Sequence, residues 1–258
     1  MRPKKSLGQH FLKSEKALAQ IVAAADVLAA DIVLEIGPGE GILTSALLAK
    51  AKKVIAIEKD RELVPHLEER FAHEIKAGKL ELIEADILKF NPEVLPKQYK
   101  LVANIPYYIT GAIFEQFLSA KNQPSQMVVL IQKEVAERII SQDKKESILS
   151  IAIKAYGTPK IIAKVPAGAF NPPPKVDSAI LSIEHISRDF FANVSEEKFF
   201  AVMKWCFGKK RKQLHGSLSE FVGDRAQALL YIERINLNPK IRPEDLTLSD
   251  WKRLTQTI

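Results

Sequence analysis

The chain has 258 residues, 47% of them hydrophobic, which is enough for one large domain or a main domain with a smaller one attached, and which excludes global disorder. Its single cysteine, Cys206, cannot form an internal disulfide or a cysteine metal cluster, and no apolar run approaches the ~18–20 residues that span a bilayer. The net charge of +7 sits at the ends: residues 1–16 carry five Lys/Arg against one acid, and residues 188–258 carry thirteen against nine. A nearly neutral body with two basic ends predicts a polyanionic partner gripped by the ends; a surface made basic only for solubility is the alternative. The basic N-terminus lacks the apolar centre of a signal peptide. The expectation is a soluble, cytoplasmic protein in a reducing compartment, with no membrane contact and, by default, a monomer.

In chain order, the first element is a helix over "SEKALAQIVAAADVLAA", with Ser14 as its N-cap. Short β-branched runs follow at 31–37, 52–58, 79–86, 99–106 and 126–132, separated by "GILTSALLAKA", "RELVPHLEERFAHE" and "TGAIFEQFLSA", which have apolar residues at helical spacing. Pro65 fits near the start of its helix, where a missing N–H costs little. The alternation predicts a mostly parallel sheet with helices on both faces. Two further runs, 158–166 and 177–186, are joined by "AGAFNPPPKV" with no helix between them, so they are expected to pair antiparallel. After residue 188 the patterns are helical only. The predicted division is an α/β domain over 1–187, with a basic N-terminal arm, and a small all-α domain over 188–258.

The chemistry lies at the strand ends. The first strand runs into "EIGPGEGILT", in which Gly37, Gly39 and Gly41 are expected to let backbone N–H groups approach a ligand. The dinucleotide fingerprint G-x-G-x-x-G fails, because its third glycine would fall on Ile42. Glu58 ends the next strand, where a carboxylate accepts from a ribose diol. Asp86 ends the third, suited to an adenine amino group or to a helix N-cap. Asn104 ends the fourth. Four such positions on the edge where open α/β sheets bind ligands point to an adenosine-type ligand. "NIPYYIT" then suits a planar amine. The Asn104 side-chain oxygen and the Ile105 carbonyl can accept from its N–H bonds, Pro106 holds the turn, and Tyr107 offers a face to a base. The alternative is a polar strand end with aromatics packed into the core. The five histidines show no metal spacing, so neither a metal nor a covalent intermediate is expected.

The motifs "SLGQHFL", "EIGPGEGILT", "EADIL", "NIPYYIT" and "FNPPPKVDS" stand in the order found in the ribosomal RNA adenine N6-dimethyltransferases, and the chain resembles that family over nearly its whole length. The E-x-G-x-G-x-G pattern of methyltransferases that use S-adenosyl-L-methionine (SAM) is kept at Glu35–Gly41. The resemblance implies a Rossmann-like class I SAM-dependent methyltransferase sheet with a helical C-terminal domain that binds RNA. It also implies N6,N6-dimethylation of two adjacent adenosines in a hairpin near the 3′ end of 16S rRNA, within the small ribosomal subunit. Under it, His10 and Leu12 would close over SAM; Gly37 would approach the methionine part, Glu58 the ribose and Asp86 the adenine, with Gly39 and Asn104 also in the cofactor site. Asn104 and Ile105 would hold the target amine, and Tyr107 and Phe170 would stack on the two faces of the target base. Many members have Asn where this chain has His10. The family's arginine pair is replaced by Lys210-Arg211, which keeps charge but loses one bidentate fork. A 23S rRNA methyltransferase of the antibiotic-resistance type, or a non-catalytic assembly or transcription factor on the same fold, are the other readings.

Overall fold

The computed structural model describes residues 3–4, 7–141, 144–209 and 212–258. Lys210 and Arg211 lie outside them. The contacts divide the chain into two compact units, one of residues 1–136 and 158–186, the other of 137–157 and 187–258.

The first unit opens with a two-residue strand β1 (Phe11–Leu12) and helix α1 (Glu15–Ala25). Ser14 caps the helix by accepting from Ala17 N, as its position predicts. Then come β2 (Ile32–Ile36), α2 (Ile42–Leu48), β3 (Lys53–Glu58), α3 (Val64–Arg70), α4 (Ala72–Lys76), β4 (Leu80–Glu84), β5 (Lys100–Asn104), α5 (Thr110–Leu118) and β6 (Gln126–Gln132). The helical pattern over 61–74 is interrupted at Phe71, whose ring packs under Gly41. After α6 (Lys133–Ile139) and α7 (Ile148–Tyr156) the sheet resumes with β7 (Thr158–Val165), the short β8 (Phe170–Asn171) and β9 (Ser178–Glu184).

The seven-stranded sheet has the order β4-β3-β2-β5-β6-β9-β7. Strands β4, β3, β2, β5 and β6 are parallel, and β9 runs antiparallel to both β6 and β7, as the absence of a crossover helix between the last two predicts. The chain leaves β2 toward β3 on one side and returns to β5 on the other, so a crevice opens between the carboxyl ends of β2 and β5. A second ladder, β1 with β8, pairs Leu12 with Phe170 and fastens the N-terminal arm to the loop before β9.

The helical unit contains α7, α8 (Glu196–Gly208), α9 (Leu214–Val222), α10 (Arg225–Arg234) and α11 (Leu248–Thr257). Its core joins Phe199, Met203, Cys206, Leu218, Ile232 and Trp251 to Ile151 and Ala155 of α7. The division of the chain at 187 therefore needs a correction: α7 precedes β7 in sequence, yet its apolar face is buried among the C-terminal helices. No described helix is long and apolar enough to cross a membrane.

Candidate active site

A cavity lined by the motifs lies at the carboxyl ends of β2, β3 and β5. It is lined by Glu35, Gly37, Gly39, Glu58, Asp86, Asn104, Ile105 and Tyr107, and by His10 and Leu12 of the arm. All the sequence-predicted site residues except Phe170 are thus gathered around one space.

The glycine turn works differently from the expectation. Gly37 N–H donates to Ile57 O, Gly39 N–H to Glu58 Oε2 and Gly41 N–H to Pro38 O, so all three donors serve the fold. A ligand without phosphates needs no cradle of N–H groups. What the glycines supply is backbone shape and missing side chains. Gly37 has φ +65° and open space where a Cβ would project, and at Gly39 a Cβ would lie 3.0 Å from the Phe11 ring.

Glu58, the last residue of β3, is 6% exposed and accepts from Gly39 N and Asp60 N. Burial raises its pKa against those two donors. Asp86 accepts from Leu88 N at 3.1 Å and pairs with Lys59 Nζ at 2.9 Å. It therefore caps a short 3-10 turn while facing the cavity, and the Lys59 ammonium holds its carboxyl below the usual range. Glu35 is 1% exposed and its Oε2 has no hydrogen-bond partner. Burial, aided by the Glu58 charge and opposed by the Thr44 hydroxyl, pushes its pKa up to about 8.

Asn104 ends β5, and its Nδ2 donates to the His10 carbonyl at 3.0 Å. With the nitrogen so engaged, the amide oxygen is the atom left for an incoming donor. The His10 ring donates from Nδ1 to Pro172 O at 2.7 Å and stacks on Tyr107 at 5.9 Å between centroids. The Tyr107 hydroxyl is hydrogen-bonded to the buried Ser178 at 2.7 Å. Phe170 departs from expectation. Its ring is 1% exposed and packs in the sheet core with Leu12, Val165 and Ile180, so it has no free face for a base. Pairing of β8 with β1 points alternate side chains to opposite faces, and Phe170 takes the inner one.

Sequence reasoning missed Asp60. It is 4% exposed and receives Lys4 Nζ at 2.6 Å and Gln9 Nε2 at 2.8 Å, anchoring the arm beside Glu58. Burial works against its charge, but these donors outweigh it and keep the carboxyl below the usual range. Its place two residues after the strand-end acid was the only available signal. Among the described residues no His, Cys, Asp and Glu cluster suits a metal ion.

Comparison with known proteins decides the family. A family model described as ribosomal RNA adenine dimethylase matches residues 1–257. The chain belongs to the ribosomal RNA adenine dimethylase family. It is 43% identical to the ribosomal RNA small subunit methyltransferase A of Dehalococcoides mccartyi, over 98% of this chain and 88% of that protein. It is 38% identical to the protein of the same name from Clostridium botulinum, over 98% and 93%. A crystal structure of a dimethyladenosine transferase from Plasmodium falciparum superposes with a TM-score of 0.81 at 30% identity, covering 95% of this chain and 96% of that one. The crystal structure of 23S rRNA methyltransferase ErmE gives 0.78 at 26% identity, over 96% and 98%. The fold is accordingly that of a class I methyltransferase with C-terminal helices, and the chain is a ribosomal RNA adenine methyltransferase by family.

Proposed function

We propose that this chain dimethylates the N6 atoms of two adjacent adenosines in the 16S rRNA of the small ribosomal subunit, with SAM as methyl donor. The observation that carries the reading is Asn104: its amide is oriented by the His10 carbonyl in the same cavity as Glu58 and Asp86. The site fits SAM. The open space over Gly37 has room for a ligand, the fixed Glu58 carboxylate suits a ribose diol, and Asp86 keeps unused lone pairs for an adenine amine. Relatives at 37–43% identity bear the small-subunit name, whereas the likeness to the 23S enzyme is 26%, which favours the small-subunit target.

Bound SAM supplies an electrophilic methyl group. Asn104 Oδ1 and the Ile105 carbonyl accept from the target amine, localise its lone pair and set the direction of attack. Tyr107 offers the ring face not taken by His10 to the target base, which must leave its stack to arrive there. The methylated nitrogen sheds its proton to water, so no side chain of raised pKa is needed as a base. His10 and Leu12 close the cavity from the arm. The basic helical unit grips RNA phosphates; Lys209 and Lys212 are each paired with Glu220 and exchange that partner for phosphate.

The test is transfer from labelled SAM to small subunits lacking the modification, followed by nucleoside mass analysis. Dimethyladenosine in 16S rRNA, reduced at least ~100-fold by Asn104→Ala, is expected. Transfer to 23S rRNA alone would place the chain with the resistance enzymes.

A further inference from the structure

We propose that Tyr108 is a cofactor-binding residue whose ring forms a wall of the adenine end of the pocket, against which the adenine of SAM stacks. The proposal rests on reading the cavity as the SAM site.

The two tyrosines of "NIPYYIT" face different ways for a local reason. Residues Tyr107–Ile109 form a single 3-10 turn after Pro106, in which successive side chains are separated by roughly a third of a turn. Tyr107 points inward, with its hydroxyl on Ser178 and its ring on His10. Tyr108 is thereby rotated outward, lines the same cavity and stays 61% exposed. It is one of two large apolar side chains that are both exposed and in the cavity lining; the other is Leu88, at 43%.

Both share the cavity with Asp86. The Leu88 N–H is bonded to Asp86 Oδ1. Lys59 is paired with Asp86 Oδ2, and Lys59, like Asp86, Leu88 and Tyr108, lines the cavity. Tyr108, Leu88 and the carboxylate suited to an adenine amino group therefore line one cavity. A planar base needs this combination: an acceptor at its edge and apolar or aromatic surface along its faces. The arm also braces the ring. Gly8 has φ +61°, and a Cβ added there would lie 3.3 Å from Tyr108 Cδ1, so the missing side chain lets the backbone lie against the ring edge.

Calorimetric titration of the full chain with S-adenosyl-L-homocysteine, and with 5′-methylthioadenosine, which lacks the amino-acid part, tests this. Tyr108→Ala is expected to weaken both ligands by the same factor, roughly 10-fold within the range for loss of a base–aromatic stack, while Tyr108→Phe binds both as wild type does. Tyr108 is largely exposed, so melting of the Ala variant is expected to match wild type, and this is checked in parallel. Unchanged binding of both ligands overturns the proposal, and with weakened RNA binding it would make Tyr108 an RNA platform instead. A loss confined to S-adenosyl-L-homocysteine also overturns it, by placing Tyr108 at the amino-acid end. Wild-type protein that binds neither ligand would instead sink the SAM reading itself.

Discussion

Glu35 is the costliest residue in the site to keep charged. In the fold it titrates near 8, against 4.5 for an unperturbed carboxyl, because it is buried with one oxygen unpaired. The native state therefore holds a proton that the unfolded chain releases as pH rises from about 4.5 to 8. This group's contribution is complete below 4.5 and falls across that window, by on the order of a few kcal/mol at ~1.4 kcal/mol per pH unit. Glu35→Gln has no such proton to lose. In urea melts without ligand, its stability relative to wild type should grow between pH 5 and pH 8, whereas parallel pH curves would mean that Glu35 is solvated. Phe170 makes the second case at this scale. With its ring in the core, Phe170→Ala should cost about 3–5 kcal/mol and Phe170→Leu much less. A residue that served only as a platform for an RNA base would leave the melting curve unmoved on either change.

Among elements, the N-terminal arm carries the least secondary structure and the most consequence. Its described part is held by Lys4 and Gln9 on Asp60, by His10 on Pro172 and Asn104, and by the β1–β8 ladder. Asp60→Ala removes the first hold and leaves the backbone N–H that orients Glu58 in place. Dissociation of S-adenosyl-L-homocysteine should quicken several-fold with little change in melting temperature; an unchanged off-rate would show that the remaining holds suffice. The arm also shows what a sequence can and cannot tell. The long strands of the sheet were readable because their β-branched runs are continuous, as strands buried on both faces require. Their end residues were readable because a parallel sheet gathers its carboxyl ends along one edge. The β1–β8 pair was not, since two residues carry no period and their partners are 158 and 160 positions away. Phe170 was misjudged for the same reason: its inward face is set by that pairing. The use of the glycine N–H groups by Ile57, Glu58 and Pro38 was equally hidden, because the same glycine spacing serves donation to a ligand or to the protein.

For the whole molecule, the discontinuous helical unit has a practical consequence. Residues 137–157 fold with 187–258, so the sheet unit and the helical unit each consist of two chain segments. In α7, Ile151 and Ala155 are buried among the C-terminal helices, and the Tyr156 hydroxyl donates to Glu196 Oε1 at 2.5 Å. Removing residues 187–258 would look in the sequence like a clean removal of a domain. In the structure it strips the partners from α7, and a helix of nine residues does not persist alone in water. The truncated chain 1–186 should therefore bind a hydrophobic dye and self-associate, and Ile151→Ser with Ala155→Ser should reduce both effects by removing the orphaned apolar face. The same pair of changes in the full chain should be destabilising, because there that face is packed. Opposite signs in the two backgrounds are what a helix shared across the linear order requires. Dye binding no greater for chain 1–186 than for the full chain would return α7 to the sheet unit.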